Sequence, residues 1–255
     1  YDSLEKRILE ELALPYAIMD MNGRMIWSNK VFAELTGKDQ FYKKNVSTVF
    51  PDVTADKLPV ADKKETAEIS TRFGEKTYRI SMQRVSLGEV VAKSEFLENS
   101  NRNASLIAMY LYDDTELKSY IKKNEDNKLV VALAYLDNYE EALESVEDVR
   151  RSLLIALIDR KITKYFSNFD GLVKKLEKDK YFLIMRQSSL EALKEQRFHI
   201  LDEVKTVNIG NEMAITLSIG VGLNASTYIQ NYEYSRIAIE MALGRGGDQV
   251  VIKNG

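Results

Sequence analysis

The fold class the sequence predicts is an α+β domain built on an antiparallel five-stranded sheet, followed by an α/β domain. Residues 15–112 hold short alternating strands punctuated by Asn22-Gly23 and Gly74-Glu75. Residues 128–253 alternate longer apolar strands with segments of helical period. The 255 residues also suffice for two domains of ordinary size. The expected division is a first domain over 1–113 with an N-terminal helix, a helical connector over 114–127 and a second domain over 128–255.

In the first half, Leu4, Ile8 and Leu12 recur at helical spacing over Ser3–Leu12. Pro15 then opens a strand over Tyr16–Asp20, with Ala17 and Met19 alternating. Asn22-Gly23 is a two-residue hairpin turn leading to a strand over Arg24–Ser28. Asn29 can cap a short helix carrying Val31, Phe32 and Leu35, which Gly37 stops. Residues 38–60 are irregular. Ala67–Phe73 and Lys76–Val85 form a second hairpin, residues 88–103 a polar loop, and Ser105–Tyr112 a strongly apolar strand. Strand phase puts Tyr78, Ile80 and Met82 on one face, and Ile107, Met109 and Leu111 on one face of the last strand. Alternation does not say which face is inward. Trp27 reads as core or rim. Asp113-Asp114-Thr115-Glu116 can cap the charged connector over Thr115–Asn127 and fix its exit angle; an ordinary N-cap needs no more than this.

In the second half, Lys128–Leu136 is a buried strand. Ser145-Val146-Glu147-Asp148 is similar to a capping box, opening a long helix with Val146, Val149, Leu153, Leu157 and Ile158 apolar. Gly171–Lys178 and Lys180–Arg186 read as paired strands. Ser188 and Glu191 cap one helix carrying Leu193, Ile200 and Val204. Met213–Leu223 is a strand, Tyr228–Leu243 a helix and Gln249–Lys253 a final strand. The glycine-rich turn from Gly244 is a helix stop or a phosphate cradle, and it lacks Walker spacing.

Composition narrows the chemistry. The chain is 45% hydrophobic and 29% charged, an ordinary globular balance, and its net charge of −3 supplies no electrostatic reason to expect nucleic acid. The absence of cysteine excludes disulfides and thiolate sites. His199 is the single histidine, so histidine-rich metal sites are excluded; it falls in a helix and reads as a surface or interface residue. The longest apolar runs, Leu129–Leu136 and Leu153–Ile158, fall short of the roughly 18 residues of a membrane helix. The opening Tyr1-Asp2-Ser3, without methionine, suggests a piece of a longer protein.

The run from Pro15 to Asn29 resembles the opening of a PAS domain, and the resemblance extends over about residues 10–112. It implies a ligand pocket beneath short helices, and Asp-x-Thr at the end of the last strand marks the joint to an output domain. Residues 128–253 resemble a GGDEF nucleotide cyclase domain, anchored on Leu136-Asp137-Asn138-Tyr139 and on Thr216 to Gly222. The departures from that family are chemical. Active members carry Asp-x-Asp on the first strand, and here the first position is Tyr135, leaving Asp137. A divalent cation needs several anionic oxygens, and a phenol at its usual pKa supplies none. The Gly-Gly-Asp/Glu-Glu-Phe turn reads Glu177-Lys178-Asp179-Lys180-Tyr181. Glu177 and Lys178 fill space that glycine leaves for a nucleotide, Lys180 replaces an acid, and Asp179 matches the metal-ligating third position. Asn168-Phe169-Asp170-Gly171 stands where the Arg-x-x-Asp product-inhibition motif is expected. Cyclic di-GMP synthesis is therefore not expected.

The candidate nucleotide-binding residues are Asp137, Asp179, Lys178 and Lys180, with Asp137 and Asp179 the candidate metal ligands. Lys174, Lys175, Lys178 and Lys180 could hold phosphates in place of metal, or form a solvated basic hairpin. The ending Ala242-Leu243-Gly244-Arg245-Gly246-Gly247-Asp248-Gln249-Val250-Val251, with the PAS-like and degenerate GGDEF-like halves, resembles the GdpP/YybT family. These are bacterial proteins anchored by a pair of transmembrane helices, with a C-terminal DHH/DHHA1 phosphodiesterase. The resemblance implies that the whole protein hydrolyses cyclic di-AMP, with manganese only in the DHH/DHHA1 domain, which lies outside this chain. It also implies haem in the PAS domain, weak ATP hydrolysis with magnesium in the degenerate domain, and a cytoplasmic place for both. A haem iron takes His, Cys, Met or Tyr, and the first half has neither His nor Cys. Tyr78, Ile80, Met82, Ile107 and Met109 are the candidate pocket, where methionine serves as core or as ligand. The expected partners are the chain's own DHH/DHHA1 domain, a second copy in a homodimer, and small-molecule ligands. A regulatory sensor module, a weak nucleotide hydrolase and a dimerisation scaffold all remain open readings.

Overall fold

The computed structural model describes residues 7–8, 10–37, 43–60, 65–86 and 105–255. The chain forms two compact units, Tyr1–Tyr120 and Ile121–Gly255. Of the helix expected over Ser3–Leu12, residues Arg7, Ile8, Glu10 and Glu11 are helical; residues 3–6 and 9 lie outside the described residues. The polar loop expected over 88–103 also lies outside them.

The first unit is an antiparallel sheet of β1 (Tyr16–Met19), β2 (Met25–Ser28), β3 (Thr66–Phe73), β4 (Lys76–Ser86) and β5 (Ser105–Asp113), in the order β2-β1-β5-β4-β3. This is the antiparallel five-stranded sheet expected from the sequence. Asn29 locks the crossing from β2 into α1 (Lys30–Thr36). Its side-chain oxygen accepts from Phe32 N–H at 3.0 Å and Tyr16 N–H at 3.1 Å, and its amide donates to the carbonyls of Leu12 and Leu14. A fully buried amide must be satisfied in this way. Tyr78, Ile80, Met82, Ile107, Met109 and Leu111 all face inward, where Phe32, Val46 and Phe50 cover them. Burial thus decides the face that alternation left open.

Asp113, Asp114 and Thr115 do more than cap. The Asp113 carboxylate accepts from the Thr115 hydroxyl at 2.6 Å and its N–H at 3.1 Å, and pairs with Lys76 at 3.0 Å. The Thr115 hydroxyl accepts from Thr77 N–H at 3.0 Å, and Asp114 pairs with Arg79. The start of α2 (Thr115–Asn127) is therefore clamped to β4. The Thr115 hydroxyl, then Lys76, hold the Asp113 carboxyl down at about 2. A depressed carboxyl contributes stability that is present above its unfolded pKa, near 4, and is lost as pH falls toward 2. The difference in urea midpoint between the native chain and Asp113→Asn is expected to be largest above pH 4 and to close as pH falls through 3. The effect is small, because the side chain is 42% exposed and screened. A difference independent of pH would show that the carboxylate does not hold the clamp.

The second unit runs β6 (Leu129–Leu136), α3 (Tyr139–Glu144), α4 (Asp148–Ser167), β7 (Leu172–Glu177), β8 (Lys180–Arg186), α5 (Gln187–Glu195), α6 (Ile200–Lys205), β9 (Leu217–Leu223), α7 (Tyr228–Gly244) and β10 (Val250–Asn254). Its sheet order is β10-β9-β6-β8-β7, with β9 and β10 parallel and the other pairs antiparallel. The expected α/β class holds, and four local expectations do not. Ser145 closes α3 instead of opening α4: its hydroxyl donates to the Ala142 carbonyl and accepts from Glu212 N–H. The buried face of α4 is Leu154, Ile158, Ile162, Tyr165 and Phe166, while Val149 is 87% exposed. The stretch from Ser188 to Val204 is two helices, broken where Arg197 and Phe198 take positive φ. The strand expected from Met213 starts at Leu217, because Asn211 and Asn138 bond the backbone of 209–216 into a loop.

Candidate functional site

The β6–β8 register sets Tyr135 opposite Lys180, so the two substituted signature positions face each other. The Lys180 ammonium lies 5.4 Å from the Tyr135 ring centre and pairs with Glu177 at 3.1 Å. Where an acidic pair would gather a metal, this chain has a ring, a cation and one exposed acid. Tyr181 occupies the last position of the signature, is 2% exposed, and donates its hydroxyl to Asp159 on α4. Burial, reinforced by Asp159, pushes the phenol's pKa well above its ordinary value, so it remains a neutral donor. Lys175 on β7 reaches both oxygens of Asp159 at 2.9 Å and lies 5.7 Å from the Tyr181 ring centre. Tyr181, Asp159 and Lys175 therefore bolt the hairpin to α4.

Beside this bolt is an open groove of about 660 Å³, whose charged lining is balanced: Arg151, Lys175 and Lys178 against Glu140, Glu144 and Glu177. Of the predicted lysines, Lys175 and Lys178 line it, while Lys180 is turned to Tyr135 and Glu177 and Lys174 is exposed elsewhere on β7. Arg151 and Asp159 escaped the sequence reading. Their only signal was a place on one face of α4, about two turns from each other.

Asp137 has a different task. Its Oδ1 accepts from the Ser218 hydroxyl at 2.5 Å; its Oδ2 accepts from the Thr216 hydroxyl at 2.8 Å and from Asp248 N–H at 2.9 Å. A Cβ on Gly247 would fall 2.6 Å from the Asp137 Cγ, so glycine is what lets the turn close on the carboxylate. Gly244 to Asp248 is thus a helix stop held by Asp137, and Lys205 adds an ion pair to Asp248 at 2.6 Å. Asp179 lies in the hairpin turn on the β8 side of β6. Its carbonyl accepts from Leu136 N–H, and its charge acts on Tyr139, Lys180 and Tyr181. Three donors already occupy the Asp137 carboxylate, so its oxygens could take a magnesium ion only by giving up those bonds. Among the described residues, no group of three His, Cys, Asp or Glu side chains is placed to hold a metal. Asn168 ends α4, and Gly171 N–H bonds back to the Phe166 carbonyl, a chain reversal in place of the product-inhibition motif. His199 precedes α6 with its side chain 60% exposed.

In the first unit, Tyr78, Ile80, Met82, Ile107 and Met109 are brought together, each at most 4% exposed. With Met19 and Met25 they place thioethers and a phenol in one core, donors of the kind haem iron accepts.

Residues 134–255 match the family described as cyclic-di-AMP phosphodiesterase GdpP-like, GGDEF domain. The chain is 37% identical over 145 residues to the cyclic-di-AMP phosphodiesterase PdeA of Listeria monocytogenes; the match covers 57% of this chain and 22% of that protein. The chain thus spans about a fifth of that relative's length. Among solved structures it is similar to an active GGEEF domain of a diguanylate cyclase from Vibrio cholerae, at 14% identity and a TM-score of 0.44, covering 53% of this chain and 89% of that one. It is also similar to the PAS domain of nitrogen regulation protein NR(II) from Vibrio parahaemolyticus, at 9% identity and a TM-score of 0.32, covering 43% and 97%. No helix among the described residues is long and apolar enough to cross a membrane.

Proposed function

We propose, on the footing that residues 134–255 are a GGDEF domain of the GdpP-like cyclic-di-AMP phosphodiesterase family, that this chain is the sensing and regulatory part of such an enzyme. Hydrolysis of cyclic di-AMP then belongs to a DHH/DHHA1 domain outside it, in a membrane-anchored protein whose PAS and GGDEF units are cytoplasmic. The observation that carries the reading is the signature hairpin: Lys178 and Lys180 replace its glycine and acid, while Tyr181, Asp159 and Lys175 tie it to α4. A hairpin tied to a helix in this way suits transmission of a signal. A ligand in the PAS core would bias the hydrolase by binding its two states with different affinity. Haem is the proposed ligand, held by the Tyr78, Met82 and Met109 region, and would supply an iron centre responsive to small diatomic molecules or redox state.

Two further parts of the proposal rest on separate observations. Arg151, Lys175 and Lys178 line a groove of nucleotide size together with Glu140, Glu144 and Glu177; ATP there would be held through those cations, without magnesium at Asp137. The connector α2 has no buried residue, and Leu117, Tyr120 and Ile121 share one exposed face, which supports a homodimer through that helix.

The test is full-length protein assayed for cyclic di-AMP cleavage, with and without haem, beside Asp159→Ala. Haem and the substitution are each expected to change the cleavage rate, while the 255-residue chain alone cleaves nothing. Cleavage by the chain alone, or full-length rates indifferent to both changes, would sink the regulatory reading.

A further inference from the structure

The outer side of α4 is apolar over its first half, and nothing proposed above uses it. Leu154, Ile158, Ile162, Tyr165 and Phe166 are the buried side of this helix. Directly opposite them stand Val149, Leu153, Ala156, Arg160 and Thr163, spaced by four, three, four and three residues and all exposed. The outward side of a helix on a globular domain is normally polar, yet Val149 is 87% and Leu153 53% exposed. Half-buried Leu157 widens the stripe on one side. Four-three spacing is that of the seam between two packed helices. Ala156, in the middle of the stripe, is small enough for a second helix to come close.

Charge decides which way a second helix would run. The start of α4 carries Glu147 and Asp148, whose side chains are 83% and 90% exposed. They meet Arg150 at 3.9 Å and Arg151 at 3.1 Å, pairs that are weak at such exposure. Arg151 also donates to the Val146 carbonyl, and the Arg150 guanidinium lies beside Gly210. Toward the other end, Lys175 holds Asp159 and Lys161 meets Glu203, which leaves Arg160 and Lys164 without an ion-pair partner among the described residues. A parallel second copy would set these cations against themselves, where like charges repel. An antiparallel copy sets them beside Glu147 and Asp148, and a twofold axis makes that contact twice.

We propose that α4 of a second copy of this chain docks antiparallel on this stripe, across a twofold axis between Leu153 and Ala156. Leu153 of each copy packs on Ala156 of the other. The stem of each Arg160 lies over Val149 of the other copy, with its guanidinium toward Asp148. The stripe is much smaller than the roughly 20–30 residues a side of a standard interface, so the contact is weak by itself. It needs no nucleotide, and it stands whether or not the connector α2 also joins two copies.

The experiment uses the 255-residue chain carrying Ile121→Asp, which spoils the exposed face of α2, with no nucleotide added. Sedimentation equilibrium through the millimolar range is expected to show a reversible monomer–dimer equilibrium. Leu153→Asp is expected to weaken it about tenfold or more, while the urea midpoint stays nearly unchanged because the side chain is exposed. Arg160→Glu with Lys164→Glu in one chain, and Glu147→Lys with Asp148→Lys in another, are each expected to weaken self-association severalfold. Mixing these two chains is expected to restore a dimer, since both ends then attract. The chain has no cysteine, so single cysteines report the geometry. A short bis-maleimide is expected to join Ala156→Cys chains into covalent dimers. It is expected to leave Thr163→Cys chains single, because residue 163 of an antiparallel pair lies roughly 25 Å along the axis from its twin. A monomer at every concentration overturns the proposal. So does association that Leu153→Asp leaves unchanged, that mixing does not restore, or that forms only when nucleotide is added. Equal cross-linking of Ala156→Cys and Thr163→Cys chains also overturns it.

Discussion

Gly222→Ala is expected to unfold the second unit while leaving the first intact. A Cβ at Gly222 would lie 1.9 Å from the Asn231 carbonyl oxygen and 2.6 Å from Ser235 N, and at Gly220 it would lie 2.3 Å from Ile239 N. These are backbone atoms of α7, so no side chain can swing aside. The helix would have to lift from β9, and the buried Ala238, Ile239 and Ala242 would lose their packing against that face of the sheet. Overpacking of a well-filled interior usually costs about 1–3 kcal/mol, and a clash with helix backbone belongs at or beyond the upper end. That is a large part of the roughly 5–15 kcal/mol that holds a domain together. Trp27, the only tryptophan, reports on the first unit alone. In urea, its fluorescence transition is expected to be unchanged, while far-UV circular dichroism loses the transition of the second unit. A variant that keeps both transitions would mean that α7 can shift freely over β9, contrary to the packing described.

Asp137→Ala is expected to cost about 2–4 kcal/mol in the second unit, with no metal present. It leaves the hydroxyls of Thr216 and Ser218 and the Asp248 N–H without their acceptor, and Ser218 is wholly buried. Asp137→Asn keeps one accepting oxygen but turns an amide toward a donor, so it should recover only part of the loss. The measurement is urea unfolding in the presence of chelator. If Asp137 were poised as a metal ligand, removing its charge would leave the metal-free chain as stable as before or more so. That outcome would restore the acid to a binding role and remove it from the turn.

The contrast between Asp137 and Tyr181 shows where sequence reading stops. Both stand at recognisable signature positions, and the substitutions at Tyr135, Lys178 and Lys180 could be read directly. What the remaining residues had become could not be read that way. Asp137 is bonded to residues 79, 81 and 111 positions away, and Tyr181 to one 22 positions back. Hydrogen bonds over such separations leave no periodic trace. Thr216 and Ser218 alternate in phase, as any strand would, and nothing local marks them as partners of an acid.

The sequence by itself determined the strands, the two-domain order, the Asn22-Gly23 and Gly74-Glu75 turns and the Asn29 cap, because side-chain alternation and backbone propensity act within a few residues. It did not place α3, the break at Arg197 and Phe198, or the buried face of α4. Those follow from which apolar side chains meet across layers, so Leu154 is buried and Leu153 is not. Tertiary structure alone decided that the methionines of the first unit face inward, that Lys175 belongs to Asp159, and that Asp137 holds a glycine turn. Burial and hydrogen-bond partners are properties of the packed chain, and packing joins residues that the sequence keeps far apart.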